Sequence, residues 1–257
     1  MDEKFQTLGD RIKSYENQGR IYLKHKIPVI LRIDGKAFHS FTRKMNKPFD
    51  DNLLACMRYA TVEVSKEISG CKFSYTQSDE ASFLITDLDS ENTEGWFKYN
   101  KSKIESVSAS MFTYFFNKKY QELFNDPENY ALFDARSFNI SNEEVVNYFT
   151  WRQWDATRNA IQMVARANFS HGECNKKNTL ELKEMLLSQK EINFEEFALQ
   201  YKRGVAFYKE STTGPNPYHE KFPHNTEPVV TRNYWKEDLE IPQFSKEKDF
   251  IENLLKN

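Results

Sequence analysis

At 257 residues, with 39 % hydrophobic, 15 % aromatic and 29 % charged residues, the chain is long enough for one large domain or a core with an appended lobe. A formal net charge of −2 excludes a simple polycation, so an anionic partner would need local basic patches. No apolar run approaches a membrane span, the first residues resemble neither a signal nor a transit peptide, and Cys56, Cys71 and Cys174 show no metal spacing, so a cytoplasmic protein with reduced thiols and no membrane association is expected.

In chain order, residues 5–17 read as a short helix with a charged face, ended by Gln18-Gly19. Residues 28–33 read as a buried strand leading into Asp34-Gly35, and residues 36–44 as a polar loop with aromatic anchors. Asp50 or Asp51 is placed to cap the next helix, which carries Leu54, Met57, Thr61, Val64 and Ile68 on one face and stops at Gly70. Residues 71–87 hold two aromatic and β-branched runs joined by Gln77-Ser78-Asp79-Glu80, the pattern of a hairpin with carboxylates at its turn. Strand, helix and hairpin in this order predict helices packed on one face of a mixed sheet. With the first strand beside the hairpin, Asp34 and Asp79 would meet at one edge of that sheet. Two convergent carboxylates suit a hard cation such as Mg²⁺, which completes its shell with water and substrate phosphates. Both spots are equally ordinary turn chemistry.

An acidic loop, 87–95, precedes a helix starting near Trp96, with Ile104, Val107, Met111 and Phe115 on one side. Lys98, Lys101 and Lys103 in its first turns run against the helix dipole, which a nearby phosphate would explain and simple solvation explains as well. Residues 131–140 form another expected strand. Ser141 and Glu144 make a capping-box pattern for a long helix to Asn168. That helix carries Trp151, Arg152, Trp154, Arg158 and Arg166, either a nucleic-acid surface or core tryptophans with acid-paired arginines. Two short helices (180–188 and 194–201), a strand (204–208), a long proline-rich loop (211–228) and a last helix (250–255) complete the chain. Phosphate-binding loops, dinucleotide fingerprints, serine-hydrolase elbows and zincin motifs do not occur in it. Metal-assisted phosphoryl or nucleotidyl transfer is the enzyme chemistry these residues permit.

The stretches Leu31-Arg32-Ile33-Asp34-Gly35-Lys36-Ala37-Phe38-His39 and Tyr75-Thr76-Gln77-Ser78-Asp79-Glu80-Ala81-Ser82-Phe83 strongly resemble the tRNA-histidine guanylyltransferase family. So do Lys47-Pro48-Phe49-Asp50, the lysine-rich turn ending at Lys103, Phe133-Asp134-Ala135-Arg136 and Trp151-Arg152-Gln153. The resemblance implies an α+β fold with a polymerase-palm-like sheet, mixed or antiparallel, in a core over residues 1–140. Residues 141–257 would form a helical and loop-rich part packed on it as one continuous unit. It implies nucleotide addition to a tRNA 5′ end in the 3′-to-5′ direction, with two Mg²⁺ ions, GTP and ATP as substrates, and a homotetramer. By the same resemblance Asp34, Gly35 and Asp79 would hold metal, with Asp34, Asp79 and Glu80 catalytic. Arg32, Lys36, Ala37, Phe38, His39, Lys47, Asp50, Ser78 and Lys103 would handle nucleotide or phosphate. Arg136, Arg152, Arg158 and Asn159 are candidates for tRNA contact. The eukaryotic branch carries His-Ile-Asn-Asn where this chain has Thr157-Arg158-Asn159-Ala160, so it looks like the guanylyltransferase-like branch, which favours template-directed repair of truncated 5′ ends. A nucleotide cyclase with a similar palm and a non-catalytic RNA-binding module are the competing readings.

Overall fold

The computed structural model describes residues 7–219, 221, 224 and 227–256. Helix α1 (Leu8–Asn17) opens at Thr7, whose hydroxyl accepts the Asp10 amide, and none of its residues is buried; residues 5 and 6 of the expected helix lie outside the described residues. Strand β1 (Val29–Gly35) follows, then a single turn α2 (Phe38–Phe41). Helix α3 (Asp51–Glu67) is capped by Asp50, which accepts the Leu53 amide. The hairpin of β2 (Cys71–Gln77) and β3 (Glu80–Ile85) stands where the aromatic runs predict it.

Helix α4 (Lys101–Phe124) begins later than expected, behind a 3₁₀ turn at Trp96–Tyr99 and the cap Asn100. Its buried stripe is Ile104, Ser108, Phe112, Phe116 and Tyr120, one position past the expected Val107, Met111 and Phe115. Phe112 and Phe116 bring rings against Phe133, and aromatic burial of that size sets which face turns inward. Strand β4 (Phe133–Asn139) leads to helix α5 (Asn142–Asn168). The capping box expected there does not form: Ser141 is the cap residue but makes no cap hydrogen bond, pairing instead with Glu143. Boxes form at α6 (His171–Cys174), with Ser170 and Glu173, and at α7 (Thr179–Lys190), with Asn178 and Glu181. The helix expected over 194–201 divides into a 3₁₀ turn, Phe194–Glu196, and α8 (Leu199–Arg203). The chain closes with β5 (Val205–Pro215), β6 (Val229–Asp238) and α9 (Asp249–Lys256). Residues 211–215, expected in a loop, thus continue a strand, and β6 answers to no expected element.

The strands form one sheet in the order β4-β1-β3-β2-β5-β6, every neighbouring pair antiparallel. It is antiparallel throughout, and helices cover both faces, not one. Val29, Leu31 and Ile33 join α3 and α4 in one core, while Ile30, Phe73, Tyr75 and Leu84 join α5 and α9 in the other. This double covering explains why β1 reads as a continuous apolar run. The last two strands, from beyond residue 141, complete the sheet.

Candidate active site

Alternation along β1 sends Leu31 and Ile33 into the α3–α4 core and therefore turns Arg32 and Asp34 toward α5. Register then selects their neighbours: Asp34 stands opposite Glu80 of β3 on one side and Asp134 of β4 on the other. Asp79 arrives through the turn between β2 and β3. Gln77 pairs with Glu80, leaving a two-residue loop in which Ser78 adopts a left-handed φ of 50°, as tight hairpin turns require. The Ser78 hydroxyl donates to Asp79 Oδ1 at 3.0 Å. The Gly35 amide donates to the Asp79 carbonyl at 3.1 Å, which ties the strand end to the hairpin turn. The expected meeting of the two acidic spots is therefore present.

Gly35 is there for space. A Cβ at this position would come within 2.2 Å of the Phe38 ring, which is buried against Phe41, Phe116 and Phe133. The chain folds back sharply past the carboxylate: the Lys36 amide donates to the Leu132 carbonyl at 2.8 Å, and Ala37 takes a φ of 54°. Lys36, Ala37 and His39 are exposed around this turn, whereas Phe38 can offer a ligand only its backbone.

Beneath the carboxylates lies a buried ionic network. Arg152 of α5 donates through Nη1 to Glu80 Oε2 at 2.8 Å and pairs through Nη2 with Asp155 Oδ2 at 2.9 Å. Arg32 Nε stands 3.9 Å from the same Glu80 oxygen, and Ser82 shares a 2.8 Å hydrogen bond with the Tyr148 hydroxyl. The Nε atoms of Arg32 and Arg152 are buried and make no hydrogen bond among the described residues. Arg152, a candidate for tRNA contact, is only 5 % exposed, so it holds the site from below and does not face RNA. The tryptophans beside it go the other way. Trp151 and Trp154 lie at the surface, against the core alternative, while Arg152 and Arg158 do pair with acids.

All three central carboxyls are pushed above their ordinary range. Burial dominates for Glu80, opposed by Arg152 and then Arg32. It dominates for Asp34, opposed by Arg32 and reinforced by Asp134. Asp79 is raised by burial and by the charge of Asp34, with the Ser78 hydrogen bond opposing. Burial is the main cause in each, and a cation bound at Asp34 and Asp79 would offset its cost. Among the described residues no cluster of three or more His, Cys, Asp or Glu is arranged to hold a metal alone. An ion held by Asp34 and Asp79 would have to take its remaining ligands from water and substrate phosphates.

The other expected residues divide. Asp50 is buried, its carboxylate accepting the Leu53 and Asn46 amides, both at 3.0 Å, so helix capping occupies the group expected to handle nucleotide. Lys47 is exposed and donates to the Thr42 carbonyl at 3.1 Å. Lys103 is exposed and forms no ion pair among the described residues, unlike Lys101, which binds Glu105. Arg136 lies 3.3 Å from Asp134 and 4.0 Å from Asp34, at the rim of the site. Arg158 is exposed on Asp155, and Asn159 reaches the same carboxylate at 3.4 Å. Sequence reasoning missed Asp134 and Asp155 as site residues. The signals were available: Asp134 alternates with Phe133 and Ala135 on the strand, and Asp155 lies one helical turn after Arg152.

A family model described as tRNAHis guanylyltransferase (Thg1) matches residues 9–141. The fold is similar to that of a bacterial tRNA(His) guanylyltransferase (Thg1)-like protein in complex with ATP, at TM-score 0.85 and 39 % identity, over 96 % of this chain and 98 % of that one. A structure of such a bacterial protein in complex with GTP superimposes at TM-score 0.77 and 36 % identity, with the same coverage. A tRNA(His) guanylyltransferase from Schizosaccharomyces pombe is 30 % identical over 77 % of this chain and 79 % of its own length.

Proposed function

The chain belongs to the tRNAHis guanylyltransferase family, and on that premise we propose that it adds nucleotides to the 5′ end of tRNA in the 3′-to-5′ direction, directed by the opposing strand. The observation that carries the reading is the juncture of Asp34-Gly35 with the Asp79 turn, locked by the Gly35-to-Asp79 hydrogen bond. Asp34, the Gly35 carbonyl and Asp79 would hold Mg²⁺, which when bound activates an attacking oxygen and neutralises the pyrophosphate that leaves. The chain's own residues do the rest. Arg152 and Arg32 fix Glu80, and through the paired register they fix Asp34 opposite it. Around the exposed turn the Lys36 amide is already bound to Leu132, so Lys36 would meet a triphosphate through its ammonium group and His39 through its exposed side chain. Lys47 and Lys103 supply exposed ammonium groups for phosphate. GTP and ATP serve as substrates in this reading, and the cytoplasmic homotetramer implied by the resemblance belongs to it.

Direction by the opposing base is supported at the position of the eukaryotic histidine. Thr157 is committed to structure there: its hydroxyl shares its one proton between the Lys202 carbonyl at 2.8 Å and the Gln153 carbonyl at 3.1 Å. With threonine at this position and engaged in packing, base pairing with the opposing strand is the reading's source of nucleotide choice and would align the 3′-hydroxyl. The test is a tRNA lacking its first nucleotide, prepared with each of the four bases opposite the gap. The incorporated nucleotide should be the Watson–Crick partner each time. Guanylate added whatever the opposing base would reject templating.

A further inference from the structure

Three side chains on the solvent face of α5 have no part in the site described so far. Trp151, Trp154 and Arg158 follow at helical spacings of three and four residues, which places them on one stripe. The indoles are 50 % and 60 % exposed, and Trp is a residue that is highly buried on average. One face of Trp151 carries the Arg152 guanidinium, 3.8 Å from the ring centre. The stripe thus starts beside the arginine that holds Glu80 and runs about 10 Å along the helix. It ends in a cleft of about 260 Å³, where Trp154, Thr157 and Arg158 face Arg203 and Gln243.

Positive charge is in excess along this path. Asp155 pairs with both Arg152 and Arg158, and Glu80 is the other partner of Arg152, so the excess comes from Arg203. Arg203 forms no ion pair among the described residues, and its Nη1 donates to the Ile241 carbonyl at 3.2 Å. Exposed flat rings beside guanidiniums recognise nucleotides whose base faces are free, by stacking and by phosphate contact. A duplex hides those faces. Building on the proposed reaction, we propose that the stripe and cleft hold the unpaired 3′ strand of the RNA where it continues past the reacting 5′ end. Anchoring that overhang places the adjoining base of the same strand opposite the growing end, so the cleft is a specificity subsite for RNA ends that carry an unpaired 3′ tail.

The test measures binding by fluorescence anisotropy, without turnover. Two RNA hairpins share the same truncated 5′ end and opposing base; one continues into a short unpaired 3′ tail and the other stops at the opposing base. Wild-type protein should prefer the tailed RNA. Trp154→Ala should weaken tailed binding about 5- to 150-fold, the range that loss of one base–aromatic stack produces, and leave the tailless RNA unaffected. Trp154→Phe should keep most of the preference. The indole is exposed, so its removal spares the fold. Tail-dependent binding in a protein that adds no nucleotide would reject the reaction yet uphold the cleft. No tail preference, equal losses on both RNAs, or abolition of the preference by millimolar ATP would overturn the assignment, the last by giving the cleft to a free nucleotide.

Discussion

Replacing Arg152 by alanine should unfold the site from beneath. The side chain is 6 % exposed and its two partners, Glu80 and Asp155, are 8 % and 17 % exposed. Its loss leaves Glu80 in a buried position with Arg32 at 3.9 Å as the remaining cation. Breaking one side of a buried ion pair costs about 3–5 kcal/mol, because the stranded charge stays out of water. In a protein of this size each kcal/mol moves the melting temperature by roughly 2–4 °C, so a fall of about 10 °C is expected. Thermal melting followed by circular dichroism measures the fall, and urea denaturation measures the free energy. Arg152→Lys should recover only part of the loss, since one ammonium cannot reproduce the planar fork that meets both carboxylates. In a double-mutant cycle, Glu80→Gln should cost clearly less in the Arg152→Ala background than alone. A destabilisation below about 1 kcal/mol, or strictly additive effects, would refute the claim that this network supports the site.

Further outcomes follow from the carboxylates and from Gly35. Folded-state pKa values raised at Asp34, Asp79 and Glu80 mean that the native protein holds protons longer than the unfolded chain. Their stabilising contribution is complete below the ordinary carboxylate range of about 4 and is lost as pH rises through the raised values. In chelator at neutral pH, Asp79→Asn should therefore melt higher than wild type, while Mg²⁺ with nucleotide should stabilise wild type alone; a lower melting point for the variant would remove the electrostatic account. The same substitution, and Asp34→Asn, should abolish nucleotide addition with the circular-dichroism spectrum intact, and near-normal turnover would end the metal assignment. Gly35→Ala should cost about 1–3 kcal/mol through overpacking against Phe38, read by urea midpoint, and wild-type stability would show that the ring can move.

Legibility in the sequence followed burial. Strands β1 to β4 carry apolar alternation or continuous apolar runs, and their ends at Asp34 and Asp79 were readable as one site. Strand β6 was not, because Val229–Asp238 is largely exposed along its length and its residues follow no core-facing period. Its partner β5 is buried over Val205 to Tyr208 and exposed beyond, so the visible part of the strand ended where its core did. The ionic network was hidden for another reason. Arg152 and Glu80 meet only through the packing of α5 on the sheet, and nothing local to Trp151-Arg152-Gln153 distinguishes a buried guanidinium from one facing RNA. The tryptophans misled in the opposite direction, since size and hydrophobicity argue for the core.

The pairing of β1 with β3 carries a further consequence. Adjacent residues of a strand point to opposite faces, so sliding β1 by one position would bury Asp34 among phenylalanines and turn Ile33 toward α5. Sliding it by two would preserve the faces but carry Asp34 off its partner Glu80 and away from the turn bearing Asp79. Neither mistake leaves a weakened catalyst; each leaves none. A molecule that has folded wrongly is therefore mute instead of inaccurate, a useful safeguard for a protein whose errors would be written into RNA.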